Sequence, residues 1–243
     1  MRAVIVIPAR YGSTRFPGKP LVPIAGTSLI QRVYERCVRS SEASAVYVAT
    51  DDDRIHDHVA GFGGRVVRPE GEFQTGTDRI AAALPLIEEQ EGLTFDIVVN
   101  VQGDEPLIEI ETVDALVRLL RKTGAAIATM ACPLAGDGEL QARDIVKTVL
   151  DDRSEAIYFS RAPIGSCGVS LRHIGVYAYR RDALARFVTF EQAPLERAES
   201  LEQLRALHHG FRIAVLQTSK PHHGVDRPED VARVEIELAK QHG

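Results

Sequence analysis

Short β-branched runs alternate with helical patterns through the first third of the chain, and that alternation constrains the fold more than any other feature. Ala3 to Ile7 and Val46 to Thr50 have the length and branching of buried strands. The strongest such run is Asp96 to Val101. Between the first two, Leu29, Ile30, Val33, Tyr34 and Cys37 recur at helical spacing behind Ser28, which is suited to capping. Asp51-Asp52-Asp53 opens a second helix that closes at Gly61-Phe62-Gly63-Gly64, ahead of a short strand from Arg65 to Arg68. Thr77 is expected to cap a third helix, with Ile80, Ala83, Leu84 and Ile87 on one face. Parallel strands need crossovers of this kind, so the pattern predicts a parallel sheet wrapped by helices.

After Ala125 the order changes. Strand-like pieces at 125–131, 145–150 and 173–179 follow one another with less helix between them, which predicts an antiparallel extension. Leu195 to His208 reads as one helix and Phe211 to Gln217 as a strand. Val225 to Asp230 opens a last helix, with Asp226 ahead of Pro228. The expectation is an α/β fold with a Rossmann-like, mostly parallel twisted sheet flanked by helices and an antiparallel extension in the C-terminal half. No linker or repeat interrupts it, so residues 1–243 read as one domain.

Several function classes drop out. A formal charge of −5 argues against a nucleic-acid-binding surface. No apolar run nears the roughly 20 residues needed to span a bilayer, and the N-terminus lacks a leader pattern, so the expectation is a cytoplasmic protein with no membrane contact. The three cysteines, Cys37, Cys132 and Cys167, are widely spaced, which fits a reducing compartment.

Chemistry concentrates in the loop from Pro8 to Leu21, which leaves the carboxyl end of the first strand, where open α/β sheets bind ligands. Gly12 and Gly18 let backbone amides approach a phosphate chain, while Arg10, Arg15 and Lys19 supply cations against its charge. The combination suits a triphosphate. It matches neither G-x-x-x-x-G-K-[ST] nor G-x-G-x-x-G.

The run Ile7-Pro8-Ala9-Arg10-Tyr11-Gly12-Ser13-Thr14-Arg15-Phe16-Pro17-Gly18-Lys19-Pro20-Leu21 resembles the opening of the 3-deoxy-manno-octulosonate cytidylyltransferases, or CMP-Kdo synthetases. Val48 to Asp52, Thr75 to Arg79, Asn100 to Pro106, Tyr158 to Arg161, Arg172 to Tyr177, Leu201 to Arg205 and Gly224 to Asp230 follow in the family's order. The resemblance spans almost the whole chain and implies a nucleotidyltransferase fold, CTP and Mg²⁺ as requirements, and transfer of CMP to an acidic sugar. It also implies a homodimer, with residues 1–124 mainly for CTP and 125–224 mainly for sugar and dimer contacts.

Carried over residue by residue, the resemblance gives Lys19, Arg10, Asp104 and Asp226 catalytic roles, with Asp104 and Asp226 holding the metal. It assigns CTP to Ala9, Arg10, Gly12, Ser13, Arg15, Lys19, Thr50, Asp51, Thr75, Gly76, Thr77, Arg79 and Gln102. Gln102, Arg161, His173, Tyr177, Glu202 and Gln203 are assigned to the sugar. A sugar acid presents a carboxylate, which calls for cationic or donating groups, and Arg161, His173 and Tyr177 qualify. His173 and Tyr177 are four apart, hence on one face of a strand.

One segment departs from the family. Between Arg161 and His173 the chain has only the Gly-rich stretch 162–172, where the family commonly carries a longer insertion. Kdo is the expected acceptor, with its 8-amino analogue or another acidic hydroxyl compound as alternatives. Two rivals are a glycosyltransferase using Asp51-Asp52-Asp53 and a CTP-sensing module without transfer activity. The pairs His56/His58, His208/His209 and His222/His223 lack a third ligand at metal spacing, and Cys167 has no base nearby in sequence.

Overall fold

Strand and helix do alternate as the sequence pattern requires. The computed structural model describes residues 1–12, 16–219 and 224–241. In chain order the elements are β1 (Ala3–Pro8), β2 (Pro23–Ile24), β3 (Thr27–Ser28), α1 (Leu29–Cys37), β4 (Ala43–Ala49), α2 (Asp53–Gly61), β5 (Val66–Val67), α3 (Gly76–Glu91) and β6 (Ile97–Asn100). There follow α4 (Ile110–Lys122), β7 (Ile127–Pro133), α5 (Asp137–Gln141), β8 (Lys147–Leu150), β9 (Ala156–Ser160), β10 (Leu171–Arg180), α6 (Arg181–Phe187), α7 (Pro194–Glu199), α8 (Gln203–His208), β11 (Ile213–Gln217) and α9 (Pro228–Gln241).

Contacts divide the chain into two compact units. The first joins Arg2–Asp114 to His222–Gly243. Its strands run β6-β1-β4-β5, all parallel, with Ile5 of β1 paired to Val46 on one side and Val99 on the other. These strands are buried on both faces, which is why they read as unbroken apolar runs. Ser28 caps α1 by accepting from the Gln31 amide at 3.3 Å, and α1 buries Leu29, Ile30, Val33 and Cys37. Val225, Val234 and Leu238 from the far end of the sequence pack with Ile24 and Leu29 in one apolar cluster.

Two local expectations are corrected here. The cap of α3 is Thr75, not Thr77: Thr75 Oγ1 accepts from the Asp78 amide at 3.1 Å and the Asp78 carboxylate accepts from Thr75 N at 3.1 Å. A hydroxyl with a carboxylate three residues on satisfies two helix-start amides at once, so this position outcompetes Thr77, which lies buried in the first turn. The strand predicted over Arg65 to Arg68 shortens to Val66–Val67.

The second unit comprises Met1 and Ala115–Pro221. Here β7 lies between β11, parallel to it, and β10, antiparallel; β10, β8 and β9 then continue antiparallel. The helix expected over Leu195 to His208 is two, α7 and α8, because Ser200 adopts φ 54° and breaks the ladder. Arg205 of α8 donates to both Glu196 oxygens of α7 at 2.8 and 2.6 Å, and both side chains are buried. That bidentate pair fixes the angle at which α8 presents its first residues.

Among the described residues no helix is long and apolar enough to cross a membrane.

Candidate active site

A cavity of about 380 Å³ opens in the first unit where β1 and β6 end. The chain leaving β1 hugs the sheet for one more residue, Ala9 N donating to Ala49 O at 2.9 Å, and then turns outward. Its return is made at Gly18, whose φ of 70° is left-handed and whose missing side chain leaves room for the Tyr11 ring. Arg54, itself doubly bonded to Asp52, stacks over that ring at 3.3 Å. So clasped, the loop places Arg10 and Lys19 on the cavity wall. Ser13 and Arg15, expected beside them, lie outside the described residues.

The opposite wall comes from the end of β6. Gln102 and Asp104 line it, and Gln102 Nε2 donates to Asn100 Oδ1 at 3.1 Å. Asp226, distant in sequence, arrives through the backbone: Val225 N donates to Asp104 O at 2.8 Å, and Gly224 passes so close that a Cβ there would sit 3.3 Å from that same carbonyl. The two carboxylates thereby face one cation. Lys19 Nζ lies 2.6 Å from Asp104 Oδ2 and 3.6 Å from Asp226 Oδ1.

Thr75, Gly76 and Arg79 at the start of α3 close the cavity. Phe73, Gln74 and Pro20 line it too, and sequence reasoning missed them. Phe73 was findable as an aromatic just ahead of Thr75-Gly76; its ring lies 5.0 Å under the Arg79 guanidinium. Arg79 Nη1 is 2.7 Å from Asp51, an ion pair without the alignment of a hydrogen bond. Gly12, Thr50, Asp51 and Thr77 are not on the cavity wall. Thr50 is buried and its hydroxyl accepts from Asp52 N at 3.2 Å.

Each carboxylate of Asp51-Asp52-Asp53 meets an arginine, Arg79, Arg54 and Arg68 respectively, and Asp52 caps α2. The run serves as a helix start, and among the described residues no group of three or more His, Cys, Asp or Glu is placed to hold a metal ion. Of the histidines, His58 Nε2 lies 2.7 Å from Ser28 Oγ, His209 stacks on Phe190, and His222 and His223 fall outside the described residues. The Cys167 thiol is held above its usual pKa by its bond to Asp137.

The residues expected to meet a sugar belong to the second unit, Gln102 apart. Arg161 is anchored by its own N to Glu199 Oε2 at 2.8 Å and by Nε to Glu199 O at 3.1 Å. Beneath it the fully buried Lys147 donates to the carbonyls of Ala142, Ile145 and Arg161, at 2.7 to 2.8 Å. Sequence reasoning missed Lys147 because a lysine opening a strand gives no sign of burial. The rings of His173 and Tyr177 are 5.5 Å apart. Burial raises the Tyr177 pKa well above 10, with Tyr179 and Glu202 adding to it, so the phenol remains a donor. Gln203 is buried, and its Nε2 has no hydrogen-bond partner among the described residues.

Residues 4–213 match the family model described as cytidylyltransferase. A 3-deoxy-manno-octulosonate cytidylyltransferase from Syntrophotalea carbinolica is 46% identical, covering 98% of this chain and 99% of the relative. The chain belongs to the 3-deoxy-manno-octulosonate cytidylyltransferase family. An 8-amino-3,8-dideoxy-manno-octulosonate cytidylyltransferase from Shewanella sediminis is 44% identical, covering 98% and 99%. A solved CMP:2-keto-3-deoxy-manno-octonic acid synthetase complexed with CTP superposes with a TM-score of 0.90 at 38% identity, over 99% of this chain and 100% of that one. As a cytidylyltransferase, the chain has the mixed α/β fold expected from its sequence, mostly parallel and flanked by helices, with antiparallel strands added.

Proposed function

We propose that this enzyme transfers CMP from CTP to the anomeric hydroxyl of 3-deoxy-D-manno-octulosonate, releasing pyrophosphate. The observation that carries the reading is the pair Asp104 and Asp226, held together by a backbone bond and facing Lys19 at the mouth of a cavity lined by Arg10 and Arg79. Such a wall fits a triphosphate: cations along its length, carboxylates where a hard cation would sit.

The donor set fits Mg²⁺, since two carboxylate oxygens are what a protein usually supplies to it, phosphate oxygens and water completing the shell. The Lys19 ammonium already stands in for a cation between them. When bound there, Mg²⁺ would neutralise charge on the α-phosphate during displacement. Arg10 and Lys19 bind and neutralise the triphosphate, and Asp104 and Asp226 hold their carboxylates toward the α-phosphorus. Attack forms the bond from the sugar oxygen to phosphorus while the bond to the β-phosphate oxygen breaks. Alignment and charge do most of the work in such a transfer.

The acceptor is read onto Arg161, His173, Tyr177, Glu202 and Gln203, with residues 1–124 serving CTP and 125–224 the sugar and the dimer contact, as one functional domain. Exposed Ile157 and Val169 in the latter region support a homodimer. We place the enzyme in the cytoplasm, supplying CMP-Kdo for lipopolysaccharide.

The test is pyrophosphate release from CTP and Mg²⁺ with Kdo or its 8-amino analogue, against Asp104→Ala. Release with Kdo that Asp104→Ala abolishes supports the proposal. Release with the 8-amino sugar alone would reassign the acceptor, and CTP binding without release for either would favour a sensing module.

A further inference from the structure

Strand β10 carries two extra residues against β7. Ile174 is opposite Met130 and Tyr177 is opposite Thr129, so Gly175 and Val176 have no partners in that ladder. The Thr129 side chain fills the gap: its hydroxyl lies 2.8 Å from Val176 O and 3.2 Å from Ile174 O. A hydroxyl has one proton, and two carbonyl oxygens accept only, so that proton points at them. His173 Nε2 is the third neighbour of the same oxygen, at 3.0 Å. With the threonine proton committed to the carbonyls, Nε2 meets a lone pair and must itself be the donor.

Imidazole nitrogens are complementary. If Nε2 carries the proton in a neutral ring, Nδ1 carries none. Among the described residues Nδ1 has no hydrogen-bond partner, while the ring is held edge-on to Phe159 at 4.9 Å and against Tyr177. Burial also depresses the His173 pKa, to about 3, so the ring is neutral at working pH. The bulge keeps His173 and Tyr177 on one face yet opposes them to Ala131 and Thr129, only two residues apart, which brings their rings together.

We infer that Thr129 is a positioning residue that fixes His173 as the Nε2–H tautomer, so that Nδ1 accepts a hydrogen bond from a hydroxyl or ammonium of the acceptor sugar and does not bind its carboxylate. This rests on the sugar-site reading above and revises it: an acceptor nitrogen repels a carboxylate, which falls instead to Arg161. Tyr177, a donor on the same face, is complementary to Nδ1, and the pair reads a hydroxyl from both sides.

The experiment is ¹⁵N NMR of the full-length protein labelled at histidine imidazoles, with His173 assigned among the eight histidines by His173→Gln, together with KM for each substrate in Thr129→Val and Thr129→Ser. Expected are a protonated Nε2 and bare Nδ1 at His173, unchanged from about pH 5 to 8. Thr129→Val should change that signature and raise the sugar KM about tenfold, leaving the CTP KM in place, and Thr129→Ser should restore both. A protonated Nδ1 or an imidazolium in the wild type would overturn the proposal whatever the sugar site proves to be. The expected spectrum with a sugar KM unmoved by Thr129→Val would overturn the recognition step and remove His173 from the sugar site. Because the wild-type spectrum stands alone, a poorly folded variant does not shield the inference.

Discussion

Lys19 Nζ sits 2.6 Å from Asp104 and within 3.6 Å of Asp226, so the residue assigned to phosphate also occupies the place of a cation. Under the proposed chemistry, nucleotide and metal would have to draw it away together, the phosphates offering its charge a new partner as the carboxylates receive another.

That competition is measurable without turnover. Lys19→Ala should bind Mn²⁺ about tenfold more tightly than wild type in the absence of nucleotide, the effect of roughly 1.4 kcal/mol of competition removed. Its CTP affinity should fall. Electron paramagnetic resonance titration of free Mn²⁺ reads the first, and unchanged or weaker Mn²⁺ binding would refute it.

The Glu196–Arg205 pair should matter for stability more than for chemistry. Both partners are buried, so Glu196→Ala removes the carboxylate that two guanidinium nitrogens hold and should cost about 3 kcal/mol in urea unfolding. Replacing both with apolar residues of similar size should recover most of it. Equal losses in the single and double variants would mean the pair is not the cause.

Acid should expose His173. Its folded pKa is depressed from 6.5 to about 3 by burial, so below about pH 6.5 the unfolded chain takes up a proton that the folded chain refuses. Stability from this residue is present above pH 6.5 and declines as pH falls toward 3. Denaturant unfolding of wild type and His173→Gln across that window should show the flatter profile in the variant.

Much of this was legible in order of locality. Strands β1, β4 and β6 announce themselves because each is buried on both faces, and the Pro8 to Leu21 loop because its glycines and cations share one stretch. The α3 cap was misplaced by two residues, since Thr75 and Thr77 differ only in whether Asp78 lies three positions on. Thr129 and Lys147 were out of reach. A threonine in an apolar strand reaches both carbonyls and the His173 ring only when a bulge forms on a neighbour more than forty residues away. Ser200 gave no warning of its left-handed backbone, which split a helix that periodicity had drawn as continuous.

Arg79 tests the boundary between fold and function. Its charge is shared between Asp51 and the Phe73 ring. Arg79→Met should therefore both lower stability, by about 1 to 3 kcal/mol, and raise the CTP KM, while Asp51→Asn should move stability alone. Matched KM changes in both variants would return Asp51 to the nucleotide site.

The first unit is written in two instalments, with residues 115–221 between them. On the ribosome the loop after β1, α3 and Asp104 are made early, but Val225, whose amide bonds to Asp104, and Asp226 come only after the whole intervening unit has been synthesised. A nascent chain halted before that point would hold the triphosphate wall without its second carboxylate and without Val234 and Leu238 to seal Ile24 and Leu29. The order of synthesis thus leaves Asp226, and the apolar residues that follow it, until last.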